Sequence, residues 1–207
     1  GQMAGFDLDL IHAIGKKMGV KIEMQNIAWD GLIPAVQSGN VDLAIAGMAI
    51  TEERKKVLLF SDPYYESGLT IMVPKNSSIQ SIKDLEGKKI AVQIGTMSSK
   101  KAKEVPNASV REFNTSADAF MELKNGGADA VINHIPVIKY YMLKNGGADS
   151  PFKIAGIPLS TASDAIATKK DNKELMDKVN KAMKELKDSG EFDALYEKWF
   201  GEKPPKK

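Results

Sequence analysis

Residues 35–45 read Ala35-Val-Gln-Ser-Gly39-Asn-Val-Asp42-Leu-Ala-Ile45 and carry the clearest fold signal in the chain. The pattern predicts the end of a helix, a stop at Gly39, and a short apolar strand at 41–46 that is buried on both faces. Strands of this kind are typical of parallel sheets covered by helices. The pattern returns as Glu122-Leu-Lys-Asn-Gly126-Gly-Ala-Asp129-Ala-Val-Ile132. This echo predicts two α/β lobes of similar construction, although any helix that ends at a glycine before a strand would also produce one such pair.

Helical and strand patterns alternate through the rest of the chain. Helices are predicted at 6–18, 31–38, 97–103, 117–124, 174–186 and 192–200. Strands are predicted at 20–24, 58–60, 68–73, 88–93, 110–113, 129–133 and 152–155. The strand at 68–73 and the segment 165–168 are the expected crossings between lobes. The predicted lobes are therefore 1–68 plus 165–207 and 69–164.

The composition excludes several functions. The 29 Lys and Arg residues nearly balance the 27 Asp and Glu residues, which leaves a formal charge of +2 and no basic field for nucleic acid. The absence of cysteine excludes disulfides and thiolate metal sites, and two histidines, His12 and His134, are thin material for a zinc site or a serine triad. We expect no metal, no cofactor and no nucleic-acid partner.

Two segments could bind an anion. Ala46-Gly47-Met48-Ala49-Ile50-Thr51-Glu52-Glu53-Arg54 places an arginine in the first turn after a strand end. Backbone N–H groups and an arginine fork together favour a carboxylate. The alternative is a surface arginine paired with a neighbouring glutamate. The second segment, Ile94-Gly95-Thr96-Met97-Ser98-Ser99, could offer further amides or could be an ordinary helix cap.

Several ordered motifs resemble the extracytoplasmic amino-acid-binding proteins of ABC importers, and especially the polar amino-acid group that includes glutamine binders. They are Gly5-Phe-Asp-Leu-Asp-Leu10, Asp42-Leu-Ala-Ile-Ala-Gly47, Ile50-Thr-Glu-Glu-Arg-Lys55, Phe60-Ser-Asp-Pro-Tyr-Tyr65, Lys83-Asp-Leu-Glu-Gly-Lys88 and Tyr196-Glu-Lys-Trp-Phe-Gly201. The resemblance implies two Rossmann-like α/β lobes of the periplasmic binding protein type II kind, joined by two crossing strands around a ligand cleft. It also implies a non-catalytic protein, a membrane permease as partner, and a periplasmic or extracytoplasmic location, with any signal peptide absent from this sequence.

The resemblance also assigns roles in the site. Arg54 would bind the ligand carboxylate, helped by the amides of Ala49 and Thr96. The carbonyl of Gly47 would accept from the ligand ammonium. Trp29 would pack on the ligand, unless it is a core residue, and Gln93 would contact the ligand side chain. The full predicted set is Trp29, Ala46, Gly47, Ala49, Arg54, Gln93, Thr96, Met97, His134 and Asp164.

The sequence departs from the family where the ligand ammonium is bound. His134 stands where members usually have Asp, which removes a charge-assisted hydrogen bond of about 1.5–3 kcal/mol. Ala49 lacks the hydroxyl that members tend to have, and Asp164 is a candidate replacement for the missing charge. Ammonium recognition is therefore expected to be altered or lost. A silenced or engineered scaffold and a dehydratase-like enzyme using His134 are the alternatives.

Family members also have a strand and a loop before the equivalent of Gly5, whereas this sequence has only residues 1–4 there. A sheet without an interior strand has unpaired backbone groups and a gap in its core. We therefore expect a partner chain or an exchanged segment to supply the strand, or a rearranged sheet, or a truncated record.

Overall fold

The structure is a computed structural model that describes residues 5–205. The chain forms two compact units, Gly1–Glu66 with Ala162–Lys207 and Ser67–Thr161, which we call the first and second units. The first boundary, after residue 66, lies two residues before the predicted one after 68. The second, after residue 161, lies three residues before the predicted one after 164. The predicted contribution of residues 1–4 lies outside the described residues.

Helices contain more residues than strands in the first unit. Its elements are α1 Phe6–Met18, α2 Trp29–Ser38, β1 Leu43–Ala44, α3 Glu52–Lys55, β2 Leu58–Phe60, β3 Tyr65–Ser67, β9 Ala162–Asp164, β10 Ala167–Lys169, α7 Lys173–Asp188 and α8 Glu191–Phe200. Helix α1 follows the predicted spacing, because Phe6, Leu10 and Ile14 are buried along one face. It ends at Gly19, which adopts a left-handed conformation with φ 69. Together with α7 and α8, this face of α1 forms the main core of the unit.

The sheet of the first unit differs from its prediction. Its order is β1-β10-β2, and both pairings are antiparallel. The predicted strand at 41–46 is reduced to Leu43–Ala44, which pairs only with β10. The prediction of a parallel sheet here was wrong, because the apolar run has no parallel neighbour among the described residues and remains an edge strand.

The predicted strand at 20–24 was also wrong. Residues 20–28 form no ladder in the described structure, although Ile22 and Met24 still pack against the core. The alternation of side chains is therefore strand-like without strand pairing. Ile22 lies directly on α1 at Gly15, where an added Cβ would stand 2.8 Å from Ile22 Cδ1. The apolar pattern fixed which side chains face inward, but pairing needs a neighbouring strand.

The second unit is a complete α/β layer structure. Its elements are β4 Leu69–Pro74, a 3₁₀ turn at Ile82–Leu85, β5 Lys89–Gln93, α4 Met97–Lys103, β6 Ser109–Phe113, α5 Ser116–Lys124, β7 Ala130–His134, α6 Ile135–Lys144, a 3₁₀ turn at Gly147–Asp149 and β8 Phe152–Ala155. The strand order is β6-β5-β7-β4-β8, with β5 parallel to β6 and β7. Strand β4 runs antiparallel to β7 and β8. Apolar clusters cover both faces of this sheet.

The crossings lie earlier in the chain than predicted. Strands β3 and β9 pair with each other where the units meet along the chain. The predicted first crossing at 68–73 is instead mostly β4, which is interior to the second sheet. The predicted return at 165–168 overlaps β10, which is interior to the first sheet. Both segments are continuous apolar runs, and burial inside a sheet produces the same pattern as a buried crossing.

Within residues 5–205, no helix has both the length and the hydropathy required to cross a membrane.

Candidate functional site

The guanidinium of Arg54 is fixed by the loop that precedes it. Thr51 caps α3 by accepting a hydrogen bond from the backbone N–H of Arg54 at 3.1 Å. Arg54 Nη1 donates to the carbonyl of Ala49 at 2.8 Å. Its guanidinium carbon lies 5.5 Å from the centre of the Trp29 ring. This arrangement leaves the other guanidinium nitrogens available for a carboxylate.

The structure does not contain the alternative arrangement for Arg54, which is an ion pair with a neighbouring glutamate. Arg54 forms no salt bridge within the described residues, and Glu52 pairs with Lys55 at 2.9 Å. An arginine that is half-buried and tethered to a carbonyl keeps its charge available for a ligand.

The backbone at Ala49 presents a donor beside this guanidinium. Ala49 and Asp164 form an isolated antiparallel bridge. Ile50 N–H donates to Ser163 at 2.8 Å, and Ala165 N–H donates to Met48 at 3.1 Å. In an antiparallel pair bracketed in this way, the N–H and C=O of Ala49 point away from Asp164. The Ala49 carbonyl binds Arg54, and the Ala49 N–H, on the same edge, has no hydrogen-bond partner among the described residues.

Gly47 lies between two carboxylates. It adopts φ 59, which favours glycine. Its N–H donates to Asp7 Oδ2 at 2.8 Å. A Cβ placed on Gly47 would stand 3.8 Å from Asp164 Oδ2. Asp164 itself is buried, and its carbonyl accepts from Tyr64 N–H at 2.9 Å. The carboxylates of Asp7 and Asp164 therefore both lie beside Gly47, which follows Ala46 in the chain.

Asp7 was missed as a site residue by the sequence reasoning. Burial raises the pKa of the Asp7 carboxyl, while the hydrogen bond from the Gly47 amide opposes that rise. Burial likewise raises the pKa of the Tyr64 hydroxyl, and the charges of Asp7 and Asp164 add to the effect. An aspartate in the first turn of a helix is normally attributed to the helix dipole, so sequence alone gave no sign of this contact.

Trp29 is the first residue of α2 and is 53% exposed. The core-packing alternative for this side chain is therefore wrong. Its indole forms a wall beside Arg54, and its distance from the guanidinium suits a cation–π contact. Trp29, Ala46, Gly47, Ala49, Arg54 and Asp164 all belong to the first unit.

The remaining predicted residues gather at one edge of the second unit. Strands β5 and β7 are parallel neighbours, so their carboxyl ends lie side by side. Gln93 ends β5, His134 ends β7, and Thr96 and Met97 follow the β5 end. Met97 is 61% exposed, as expected for a side chain outside the core. Ligands of open α/β sheets bind at this kind of edge.

Hydrogen bonds hold the Gln93 side chain in place. Gln93 Nε2 donates to the Asn114 carbonyl at 3.1 Å, and Gln93 Oε1 accepts from Ser116 at 2.9 Å. Ser116 in turn accepts from Asn133 Nδ2 at 3.0 Å. Gln93 was predicted to contact the ligand side chain, and this network fixes its orientation. Ser116 and Asn133 were not identified from the sequence, because hydroxyl and amide residues near strand ends are common.

Thr96 and His134 present different groups at the same edge. The Thr96 hydroxyl donates to the Gln93 carbonyl at 2.7 Å, and it caps α4 by accepting from Ser99 N–H at 3.2 Å. The backbone N–H of His134 donates to Asn133 Oδ1 at 2.7 Å. Partial desolvation of the ring lowers the pKa of the His134 imidazole, so the ring is neutral near pH 7.

The described residues contain no cluster of three or more His, Cys, Asp and Glu side chains suited to holding a metal ion. The first unit contains an arginine and a backbone amide without a partner among the described residues, both of which suit an anion, and carboxylates, which suit a cation.

Comparison with known proteins places this arrangement in a family. Residues 1–202 match the model described as bacterial extracellular solute-binding proteins, family 3. The arginine-binding extracellular protein ArtP of Bacillus subtilis (strain 168) is 41% identical over 205 residues, covering 97% of this chain and 80% of that protein. The ABC transporter glutamine-binding protein GlnH of the same strain is 35% identical over 209 residues, covering 99% of this chain and 75% of that protein.

A solved structure described as an ancestral cationic amino acid solute-binding protein is 43% identical with a TM-score of 0.87. The match covers 97% of this chain and 87% of that one. The family resemblance and the fold class predicted from the sequence are thereby confirmed. These relatives are described as binding proteins, which agrees with the predicted lack of catalysis.

Proposed function

Because the chain belongs to the bacterial extracellular solute-binding proteins of family 3, we propose that it captures a polar amino acid or a related small carboxylate for ABC-type import. The ligand would be bound outside the cytoplasmic membrane and delivered to a permease. One observation carries the proposal. The Arg54 guanidinium is held by the carbonyl of Ala49, beside an Ala49 N–H that has no partner among the described residues.

These donors suit a carboxylate better than other anions. A planar guanidinium can bind both oxygens of a carboxylate through parallel hydrogen bonds. The Ala49 N–H, on the same edge as the tethered guanidinium, adds a further donor. Relatives named for arginine, glutamine and histidine support the class of ligand. Their shared chemical feature is the α-amino acid group, so their names do not select a side chain.

The ammonium of the ligand would be bound differently from the usual family pattern. His134 offers a neutral ring with one acceptor at the edge of the second unit. In the first unit, the Asp164 carboxylate lies at Gly47, whose carbonyl accepts from no described residue. We assign the ammonium to Asp164 and the Gly47 carbonyl. Closure of the two units around the ligand, which the family resemblance implies, stays a prediction.

Isothermal titration calorimetry with matched ligands tests this function. The panel is L-arginine, L-glutamine and L-histidine, with agmatine as arginine without its carboxylate and 5-guanidinopentanoate as arginine without its ammonium. Loss of the carboxylate forfeits at least two hydrogen bonds to charged groups, or about 3 kcal/mol, so agmatine should bind at least 100-fold more weakly than arginine. Agmatine binding as tightly as arginine would exclude the carboxylate site. Binding of no amino acid at all would favour the silenced-scaffold alternative.

The ammonium assignment has its own variant. Asp164→Asn should weaken arginine binding at least tenfold and leave 5-guanidinopentanoate unchanged, because only arginine carries the ammonium. Asp171→Asn is the matched control, since Asp171 is exposed and lies outside the predicted site. Equal losses for both ligands would show that Asp164 acts on the fold of the site rather than on the ammonium.

A further inference from the structure

Polar side chains from two strands and a helix meet at the carboxyl edge of the second sheet. Strands β5 and β7 are parallel, with Ala91 beside Val131. Side chains two residues further along a strand lie on the same face, so Gln93 and Asn133 are neighbours on one face of the sheet. Helix α5 covers this face, because its buried residues belong to the same apolar cluster as Ala91 and Val131. Ser116, the first residue of α5, therefore lies beside both polar side chains.

Hydrogen bonds join these side chains into one series, which we call the amide relay. It begins at the backbone N–H of His134, which donates to Asn133 Oδ1 at 2.7 Å. Asn133 Nδ2 donates to Ser116 Oγ at 3.0 Å, and Ser116 Oγ donates to Gln93 Oε1 at 2.9 Å. The series ends at the backbone carbonyl of Asn114, which accepts from Gln93 Nε2 at 3.1 Å.

The two ends of the amide relay determine the direction of every bond between them. A backbone N–H can only donate and a backbone carbonyl can only accept, whereas a carboxamide can turn by 180° and a hydroxyl can rotate. A turned Gln93 would place its oxygen against the Asn114 carbonyl and its nitrogen against the Ser116 hydroxyl proton. Asn133 is only 7% exposed, so water competes little for its amide. The orientation of the Gln93 carboxamide is therefore set before any ligand binds.

The amide relay uses half of the hydrogen-bonding capacity of Gln93. A carboxamide has two N–H donors and two acceptor lone pairs, and the bonds to Asn114 and Ser116 use one of each. One donor and one acceptor remain, both in fixed positions. A carboxamide that turns freely can instead present two hydrogens or two lone pairs to a ligand. Gln93 is therefore suited to a ligand group that itself has both a donor and an acceptor.

The other predicted residues at this edge add no charge. Thr96 and Met97 are uncharged, and partial desolvation lowers the pKa of the His134 imidazole, so that its ring is neutral near pH 7. A charged ligand side chain would give up water here without meeting a counter-charge from these residues. The edge of the second unit therefore favours a neutral polar side chain.

We propose that Ser116, anchored by Asn133, is a positioning residue that fixes the carboxamide of Gln93, and that the fixed carboxamide selects amino acids with a neutral side chain carrying both a donor and an acceptor. The carboxamide of glutamine and the ureido group of citrulline meet this requirement. The guanidinium of arginine has only donors, and the carboxylate of glutamate has only acceptors. This selection rests on the proposed function, which supplies the amino acid, whereas the amide relay itself exists without ligand.

Calorimetry with two matched pairs of ligands tests the selection. L-citrulline and L-arginine have the same length, and L-glutamine and L-glutamate have the same shape. The neutral member of each pair should bind at least tenfold more tightly, because the charged member leaves one polar group of Gln93 unpaired. Ser116→Ala lets Gln93 turn, so both affinity ratios should fall at least fivefold. Ser116→Thr keeps the hydroxyl and should restore them, and Ser109→Ala, at an exposed serine that begins β6, is the matched control.

A double-mutant cycle separates positioning from a general effect on the fold. Gln93→Leu removes the carboxamide, so no group is left for Ser116 to position. In that background, Ser116→Ala should leave both affinity ratios unchanged. A further fall as large as the one in the unmodified protein would show that Ser116 acts on the fold, and would overturn the proposal.

NMR relaxation of the Gln93 side-chain ¹⁵N tests the amide relay without ligand. Its order parameter should be about 0.85, as in rigid backbone, and should fall below about 0.6 in Ser116→Ala. A mobile carboxamide in the unmodified protein, or unchanged affinity ratios in a folded Ser116→Ala variant, would overturn the proposal. If none of the four amino acids binds, the proposed function fails, and the relaxation data still decide whether Ser116 positions Gln93.

Discussion

Arg54→Lys tests the carboxylate site most directly, because it keeps the charge and removes the fork. A lysine cannot both donate to the Ala49 carbonyl, as Arg54 does at 2.8 Å, and bind two carboxylate oxygens. One hydrogen bond to a charged group is lost, at about 1.5–3 kcal/mol. Affinity for the best amino-acid ligand should therefore fall roughly 10- to 150-fold. The contact with Trp29, 5.5 Å from the guanidinium, exists without ligand, so its loss lowers the stability of the fold rather than the affinity.

Calorimetry of the purified variant measures this loss, and thermal unfolding without ligand shows whether the fold is intact. The chain has one other arginine, Arg111, whose partner is Glu122 in the second unit. Arg111→Lys is therefore the matched control and should leave ligand affinity unchanged. If Arg54→Lys weakens binding less than threefold while remaining folded, the guanidinium does not bind the ligand carboxylate and the reasoning above fails.

Three further predictions concern other parts of the molecule. His134→Asp should strengthen arginine binding tenfold to about 150-fold by restoring a charged acceptor, with no gain for 5-guanidinopentanoate in the same titrations. Burial raises the pKa of Asp7, so the stability that its protonated form provides is lost as pH rises through that pKa. Asp7→Asn should therefore stabilise the protein more at pH 7 than at pH 4, as measured by urea unfolding. An equal effect at the two pH values would contradict this. Gly68→Ala should cost about 3 kcal/mol or more, because φ is +143 and the new Cβ meets the Ser160 backbone. Gly126→Ala, at φ +80 with open space around it, should cost only about 1–2 kcal/mol in the same denaturation experiment.

The sequence predicted elements well where one helix or strand buries its own apolar face. Helix α1 runs from Phe6 to Met18 as predicted, because its inward spacing and its glycine stop are both local features. The second unit followed its predicted alternation for the same reason. Strand pairing is different, since it depends on what lies beside a segment. Residues 20–24 have a strand pattern but form no ladder, and nothing in the pattern indicates whether a neighbouring strand is present.

The candidate site shows the same difference between local features, which the sequence predicts, and contacts with distant segments, which it does not. The placement of Arg54 in the short helix α3, just after a strand end, was predictable from its motif, and its binding of a carboxylate stays a prediction. The tether of Arg54 to the Ala49 carbonyl was not predictable, since it depends on the bridge between Ala49 and Asp164, which are far apart in sequence. Asp7 was missed for a related reason. Its contact with Gly47 spans 40 positions, and no local pattern separates it from an aspartate that only complements a helix dipole.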